Sequence, residues 1–190
     1  MTFVAFVDES ESRQDIDAGT YILCATIMDE RDIALAREQM VVLKPASRKK
    51  LHWHDNNTPA GRTKLVGHVS GIGAEHLVVI RLGSTHAPAE RRRRMCIERL
   101  TFEMQLLGVT RVIFESRGPG DKSDLALLQG LRSKRIIDPA LRFYHLPGPA
   151  EPLLWISDIV CGAVTQDRIG NPAMLDPIRD SITFHEIHSG

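Results

Sequence analysis

Residues 3–7 (FVAFV) are apolar at every position, and residues 21–28 (YILCATIM) repeat the pattern. Strands of this kind suit the middle of a sheet whose two faces are both covered. A one-sided sheet would need strict alternation instead, so these two runs call for helices packed above and below. The stretch between them is polar and ends in Gly19. That spacing allows a hairpin and predicts that the two strands are antiparallel neighbours.

The remaining chain supplies the helices. From residue 29 to 43, Ile33, Ala36, Met40 and Leu43 recur at helical spacing, and Pro45 with the SRKK run ends the element. The segment LHWHDNNTPAG is irregular, a short helix is expected over 62–69, and Gly71 and Gly73 lead to a strand over 76–82. Everything from 29 to 75 reads as an insertion.

Pro88 opens a helix that runs to Leu107, with Met95, Leu100, Phe102, Met104 and Leu107 as apolar positions and Gly108 as its stop. A strand (RVIF, 111–114), a turn, a helix over 124–136, a strand over 141–146 and a final helix through LLWISDIVCGAV follow. Strand-helix-strand units require parallel pairing with right-handed crossovers. The expected fold is α/β, a mixed five-stranded sheet flanked by helices with a helical insertion between strands two and three, the order found in the ribonuclease H-like superfamily. Residues 1–170 are expected to form one domain and 171–190 a tail, in which ITFHEI is a candidate late strand.

Lys plus Arg and Asp plus Glu both number 24, so any attraction for nucleic acid has to come from charge placement. Cys24, Cys96 and Cys161 are odd in number and lie far apart, which excludes a disulfide framework and a zinc ribbon. No stretch approaches the ~20 apolar residues of a membrane span, and no signal-peptide core precedes Asp8, so a cytoplasmic protein is expected.

Four acids stand out. Asp8 and Glu9 end the first strand, where open α/β sheets build their sites; the same position also suits a plain turn acid. Glu115 follows RVIF in the same way and comes beside Asp8 if strands one and four are neighbours; otherwise it pairs with Arg111 or Arg117. Asp158 interrupts the apolar run of the last helix, where a lone carboxylate is heavily penalised, so it needs a cap role, an arginine or a cation. Oxygen ligands of this kind suit Mg²⁺ or Mn²⁺. Two such ions about 4 Å apart would activate water and stabilise the leaving oxygen of a phosphodiester. A fourth ligand would come from Glu98, Glu103, Asp121 or Asp124, with Glu103 and Asp124 the foremost candidates.

The pairing of FVDES at the start with LLWISDIVCGAV near the end resembles the domain-of-unknown-function 3800 family (DUF3800), over residues 3 to about 165. That resemblance implies a ribonuclease H-like fold in which Asp8 and Glu9 match the opening acids and Asp158 matches the acid of the closing helix. Glu115 corresponds by strand position only. Glu11 replaces the family's usual Gly and Ser157 its usual Ala.

Other features carry competing readings. His52, His54 and Asp55 suggest zinc, a substrate contact, or a structural loop. Arg91 to Arg94 lie near a helix start, an unfavourable place for cations, for which phosphate, acidic neighbours such as Glu90 or Glu98, or plain solvation would compensate. Trp53 suits base stacking or burial under the insertion.

The leading expectation is therefore a Mg²⁺- or Mn²⁺-dependent nuclease or phosphodiesterase. Asp8, Glu9, Glu115 and Asp158 would be its catalytic acids, and Ser10, His52, His54, Arg91 and Arg94 its substrate contacts. The alternative is a non-catalytic module that binds nucleic acid, a protein partner or a second copy.

Overall fold

The apolar character of the first two strands is matched by cover on both faces. In the computed structural model, which describes residues 1–12, 15–83 and 87–188, β1 (Phe3–Glu11) pairs antiparallel with β2 (Tyr21–Asp29), Val7 opposite Ala25. β3 (Glu75–Leu82) continues antiparallel from β2. On the other side of β1, β4 (Val109–Glu115) and β5 (Arg142–Leu146) run parallel to it. The ribonuclease H-like α/β class stands as expected.

The sheet has six strands, in the order β5-β4-β1-β2-β3-β6. The sixth, β6 (Ile182–His188), comes from the segment expected to be a tail and pairs parallel with β3. It escapes the usual patterning because its exposed positions include Thr183 and Phe184 in succession, as befits an edge strand.

The insertion contributes α1 (Ile33–Leu43), a turn at Trp53–Asp55, and α2 (Pro59–Ser70). The Thr58 hydroxyl caps α2 by accepting from the Gly61 N–H at 3.1 Å, and Pro59 fits its first position. Together with α5 (Leu154–Arg168), these elements cover the face that carries Val4, Phe6, Ile22 and Cys24. The opposite face, with Ala5, Val7, Leu23 and Val112, is covered by α3 (Ala89–Leu106) and α4 (Asp121–Ser133). All three cysteines are buried free thiols. No helix among the described residues is long and apolar enough to cross a membrane.

The buried row of α3 differs from the sequence expectation. Cys96, Ile97, Leu100 and Met104 face the sheet, whereas Phe102 and Leu107 are exposed. One turn before Ile97 the same row begins with Arg93, a charged residue in a core position.

α5 is fixed to the sheet by polar contacts as well as by packing. Ser157 Oγ donates to the Phe6 carbonyl at 2.7 Å and lies 2.9 Å from Thr26 Oγ1, which lies 3.1 Å from His76 Nδ1. If each hydroxyl donates once, Nδ1 of His76 carries the hydrogen and the chain runs one way from imidazole to backbone. Ser157 thus ties α5 to β1. At the next turn of α5, Gly162 allows the Trp53 ring to lie directly on the helix backbone; a Cβ there would come within 2.3 Å of the ring.

Two outcomes are expected from these contacts. Gly162→Ala forces the indole off α5 and lowers the urea midpoint by the equivalent of roughly 1–3 kcal/mol, the usual cost of overpacking. His76 is held neutral by burial, with its pKa lowered to about 4. The unfolded chain binds that proton at higher pH than the folded chain does, so stability falls as pH drops through the window between about 6.5 and about 4. Urea unfolding should show a loss of about 2 kcal/mol between about pH 7 and about pH 5 that is absent in His76→Gln.

Candidate metal centre

Side chains alternate across a strand, so the acids that end β1 part company. Asp8 continues the face of Val4 and Phe6, towards α5, and Glu9 continues the face of Ala5 and Val7, towards α3 and α4. In β4 the same alternation places Glu115 on the Asp8 side. Val7 is aligned with Phe114 in the parallel pair, which brings Asp8 and Glu115 next to each other at the carboxyl ends of neighbouring strands. α5 crosses this end of β1, its Cys161 thiol lying 3.6 Å from the Asp8 carbonyl oxygen, and presents Asp158 to the same place.

Each acid has its own set of contacts. Asp158 Oδ2 accepts from the Trp53 backbone N–H at 2.6 Å and is 2.9 Å from His52 Nδ1. Glu115 Oε1 accepts from Lys50 Nζ at 2.6 Å. Asp8 Oδ1 accepts from the Glu9 N–H at 2.8 Å. Glu115 Oε2 is buried and has no hydrogen-bond partner among the described residues. Gly148 packs so closely on Glu115 that a Cβ there would fall 2.4 Å from Oε1.

The electrostatics report crowding of negative charge. Burial pushes the Asp8 carboxyl well above the ordinary carboxylate range, and the charges of Glu115, Asp158 and Glu9 raise it further. The hydrogen bond to Asp158 raises the imidazole pKa of His52. Burial works against the charge of Lys50, but Glu115, Asp8 and Asp158 prevail and hold its pKa above the usual value. Lys50 and His52 sit in the insertion, brought here because buried Leu51 and Trp53 anchor that segment in the core.

Glu9 does not join this group. It forms ion pairs with Arg93 and Arg117 on the other face, and burial still raises its pKa despite both guanidinium groups. Glu9, expected as a catalytic acid, thus lies on the opposite face of β1 from Asp8, paired with arginines. Asp124 is likewise unavailable as a ligand. It is fully buried, holds Arg93 at 2.7 Å, Arg117 at 3.1 Å and His145 at 3.2 Å, and these partners outweigh burial to depress its pKa. Glu103 pairs with Arg99 and with His185 of β6, at the edge of the sheet away from Glu115. No fourth carboxylate reaches the Asp8 side from these candidates.

Of the other expected contacts, Ser10 and His54 line a cavity of about 200 Å³ with Trp53, Arg62 and Gly162. Trp53 itself is buried, with the Arg62 guanidinium 4.9 Å from its ring centroid, so it is no base-stacking platform. The rings of His52 and His54 meet edge to face at 5.4 Å, and His52 Nδ1 lies 2.9 Å from Asp158 Oδ2. Arg92 and Arg93 are buried and paired with acids, whereas Arg91 and Arg94 are exposed. Arg94 lines a groove between α3 and α4 with Glu98, Ser123 and Lys134.

Two residues escaped the sequence reading. Lys50 was one of several cations in a basic run, with nothing local to single it out. Arg93 had a usable signal, since it occupies the apolar row of α3 and a charge there demands a buried partner.

Among the described residues, no three His, Cys, Asp or Glu side chains stand close enough to form a finished metal-ligand set. The chemistry of Asp8, Glu115 and Asp158 nevertheless suits a hard divalent ion: oxygen donors, a buried oxygen on Glu115 lacking a donor, and an Asp8 carboxyl destabilised by like charge.

Comparisons with known proteins bear on the fold. No family model and no curated protein sequence matches the chain. Solved structures do. RNase HII from Archaeoglobus fulgidus, determined in complex with PCNA, aligns over 93% of this chain and 75% of its own, with a TM-score of 0.54 and 9% identity. Ribonuclease H2 from Pyrococcus horikoshii OT3 aligns over 88% and 74%, with a TM-score of 0.50 and 13% identity. A single-residue variant of Bst-RNase HIII aligns over 94% of this chain but 54% of its own, with a TM-score of 0.50 and 14% identity. At such low identity the likeness speaks to architecture alone, and the chain has a ribonuclease H-like fold.

Proposed function

We propose that the chain is a divalent-metal-dependent nuclease or related phosphodiesterase, with Asp8, Glu115 and Asp158 as its ligand acids, Mg²⁺ or Mn²⁺ as the cation and nucleic acid as the substrate class. The observation that carries this reading is the crowding of acids on the α5 side of the sheet. Three acids from β1, β4 and α5 gather there around Lys50 and His52, and a buried Glu115 oxygen has no donor among the described residues. Ribonuclease H-like neighbours lend support at the level of architecture.

When bound, the cation would polarise a substrate phosphate and make water acidic enough to attack it. The protein's own contribution is orientation. The Trp53 N–H and His52 hold Asp158 by Oδ2, and the Glu9 N–H holds Asp8 by Oδ1, so each acid turns a fixed second oxygen towards the group. His52 holds a proton close to the acids through its contact with Asp158. Ser10 and His54, on the wall of the neighbouring cavity, are assigned to sugar or phosphate contacts, and exposed Arg91 and Arg94, on the opposite face of the sheet, to more distant phosphates of a long substrate.

A second reading is a non-catalytic module for nucleic acid or a protein partner, favoured by one feature, the ion pairs that Lys50 and His52 already make with two of the acids. Tight, salt-sensitive nucleic-acid binding without metal distinguishes it.

Asp8→Asn and Asp158→Asn keep shape while removing charge. In calorimetric titration with Mn²⁺, each is expected to weaken binding by more than the roughly ten- to hundredfold that loss of an outer-shell partner costs, and to abolish cleavage of nucleic acid. Thermal unfolding should shift little in Asp158→Asn, because the amide oxygen still accepts from Trp53. Undiminished Mn²⁺ affinity in both variants would sink the proposed ligand set.

A further inference from the structure

We propose that the free edge of β5 binds a single strand of nucleic acid, with one base on the Tyr144 ring and neighbouring phosphates on Arg132 and Arg142. The inference deepens the proposed function and rests on it for one point, nucleic acid as the substrate class.

β5 ends the sheet on this side, and its outer edge pairs with no other strand among the described residues. A groove of about 250 Å³ lies between it and α4, lined by Leu125, Leu128, Arg132, Arg142, Phe143 and Tyr144. The lining holds two arginines and two aromatic rings but no carboxylate. Large side chains stand open here, Tyr144 at 46% exposure and Leu125 at 48%. Among the described residues neither Arg132 nor Arg142 is paired with an acid, whereas Arg93, Arg111 and Arg117 all are. Arg132 is nevertheless held in place. It donates to the Leu141 carbonyl and lies over the Phe143 ring, 5.1 Å from the centroid.

An open ring between unpaired guanidinium groups selects a ligand that offers a flat π surface next to negative charge. A nucleic-acid strand supplies both at every residue, and stacking on Tyr144 requires a base freed from its partner strand. A protein strand added to this edge is the poorer fit. β5 has five residues, with Pro139 shortly before it and Pro147 directly after, and short edges next to Pro discourage strand addition.

Position links the groove to the acid group. Tyr144 is aligned with Ile113 and Leu146 with Glu115. Side chains alternate, so Tyr144 belongs to the face of Glu115. It sits roughly 7 Å further along the strand and one strand across, about 5 Å. Phe143 packs with the α3 and α4 cluster on the other face. A strand seated in the groove and stacked on Tyr144 thus passes round the sheet edge towards Glu115.

The test is fluorescence anisotropy of labelled oligothymidylate and oligouridylate, titrated with the full chain in EDTA so that no cation contributes. Wild type should bind at least one of them, with an affinity that falls as salt rises. Tyr144→Ala should bind it about five- to a hundredfold more weakly, the worth of one stacked base. Tyr144→Phe keeps the ring and should bind as wild type does. Arg142→Gln should weaken binding and lower the salt slope by roughly 0.7, the share of one single-strand phosphate. Lys64→Gln, which removes an exposed cation from α2, should change neither. If wild type binds neither oligonucleotide, this inference is overturned, while Mn²⁺ titration of the Asp8 and Asp158 variants judges the metal-dependent reading separately. If wild type binds but folded Tyr144→Ala or Arg142→Gln keeps its affinity, the groove is overturned and nucleic acid stands as the substrate class. Polyglutamate that competes as well as an oligonucleotide of equal charge would overturn the inference in favour of an acidic protein partner. Should Tyr144→Ala unfold, Arg142→Gln decides.

Discussion

The buried carboxylate of Asp158 organises the structure around it. An acid in the middle of an apolar helix must be satisfied, and no residue of α5 itself does this. The donors come from the insertion: the Trp53 N–H and the His52 ring, more than a hundred residues earlier in the chain. Once that contact forms, Leu51 and Trp53 enter the core, the indole settles on Gly162, and Lys50 is delivered to Glu115. The segment between the second and third strands therefore forms one wall around the acid group.

The two faces of the sheet treat charge differently. On the α3 and α4 side, Arg93 and Arg117 pair with Glu9, Asp124 and Glu90 in a closed network, and the Arg93 side chain is almost wholly removed from solvent. Such a network holds helices in register with the sheet and offers little to a ligand, since its oxygens are already taken. On the α5 side the Glu115 Oε2 atom is buried and has no hydrogen-bond partner among the described residues. The contrast explains why acids that look alike in the sequence differ in what they can do.

Much of the architecture is legible because the apolar patterns are long and the turns are marked by Gly and Pro. The parallel pairing of strands one and four, inferred from the connecting helix, is what brings Glu115 beside Asp8, and the intrusion of Asp158 into LLWISDIVCGAV marks it as a residue in need of a partner. Other parts stayed hidden for physical reasons. Lys50 acquires its role only through the fold of the insertion. β6 is an edge strand whose exposed and half-covered residues do not alternate cleanly. Glu9 was legible in principle, because adjacent strand residues point to opposite faces, but FVDES reads naturally as a paired acidic motif and invites treatment of both acids together.

That alternation also bears on how β1 finds its place. A strand buried on both faces is apolar everywhere, so sliding it by one residue against its neighbours would exchange one set of hydrophobic side chains for another at little cost, and hydrophobicity alone is a poor guardian of alignment. The two acids at its end supply the missing penalty. In a shifted strand the carboxylate meant for Arg93 would face α5 and its neighbouring acids, and the one meant for the acid group would meet a guanidinium built for another geometry. Charge at the strand's end thus proofreads a pairing that the greasy run before it leaves ambiguous.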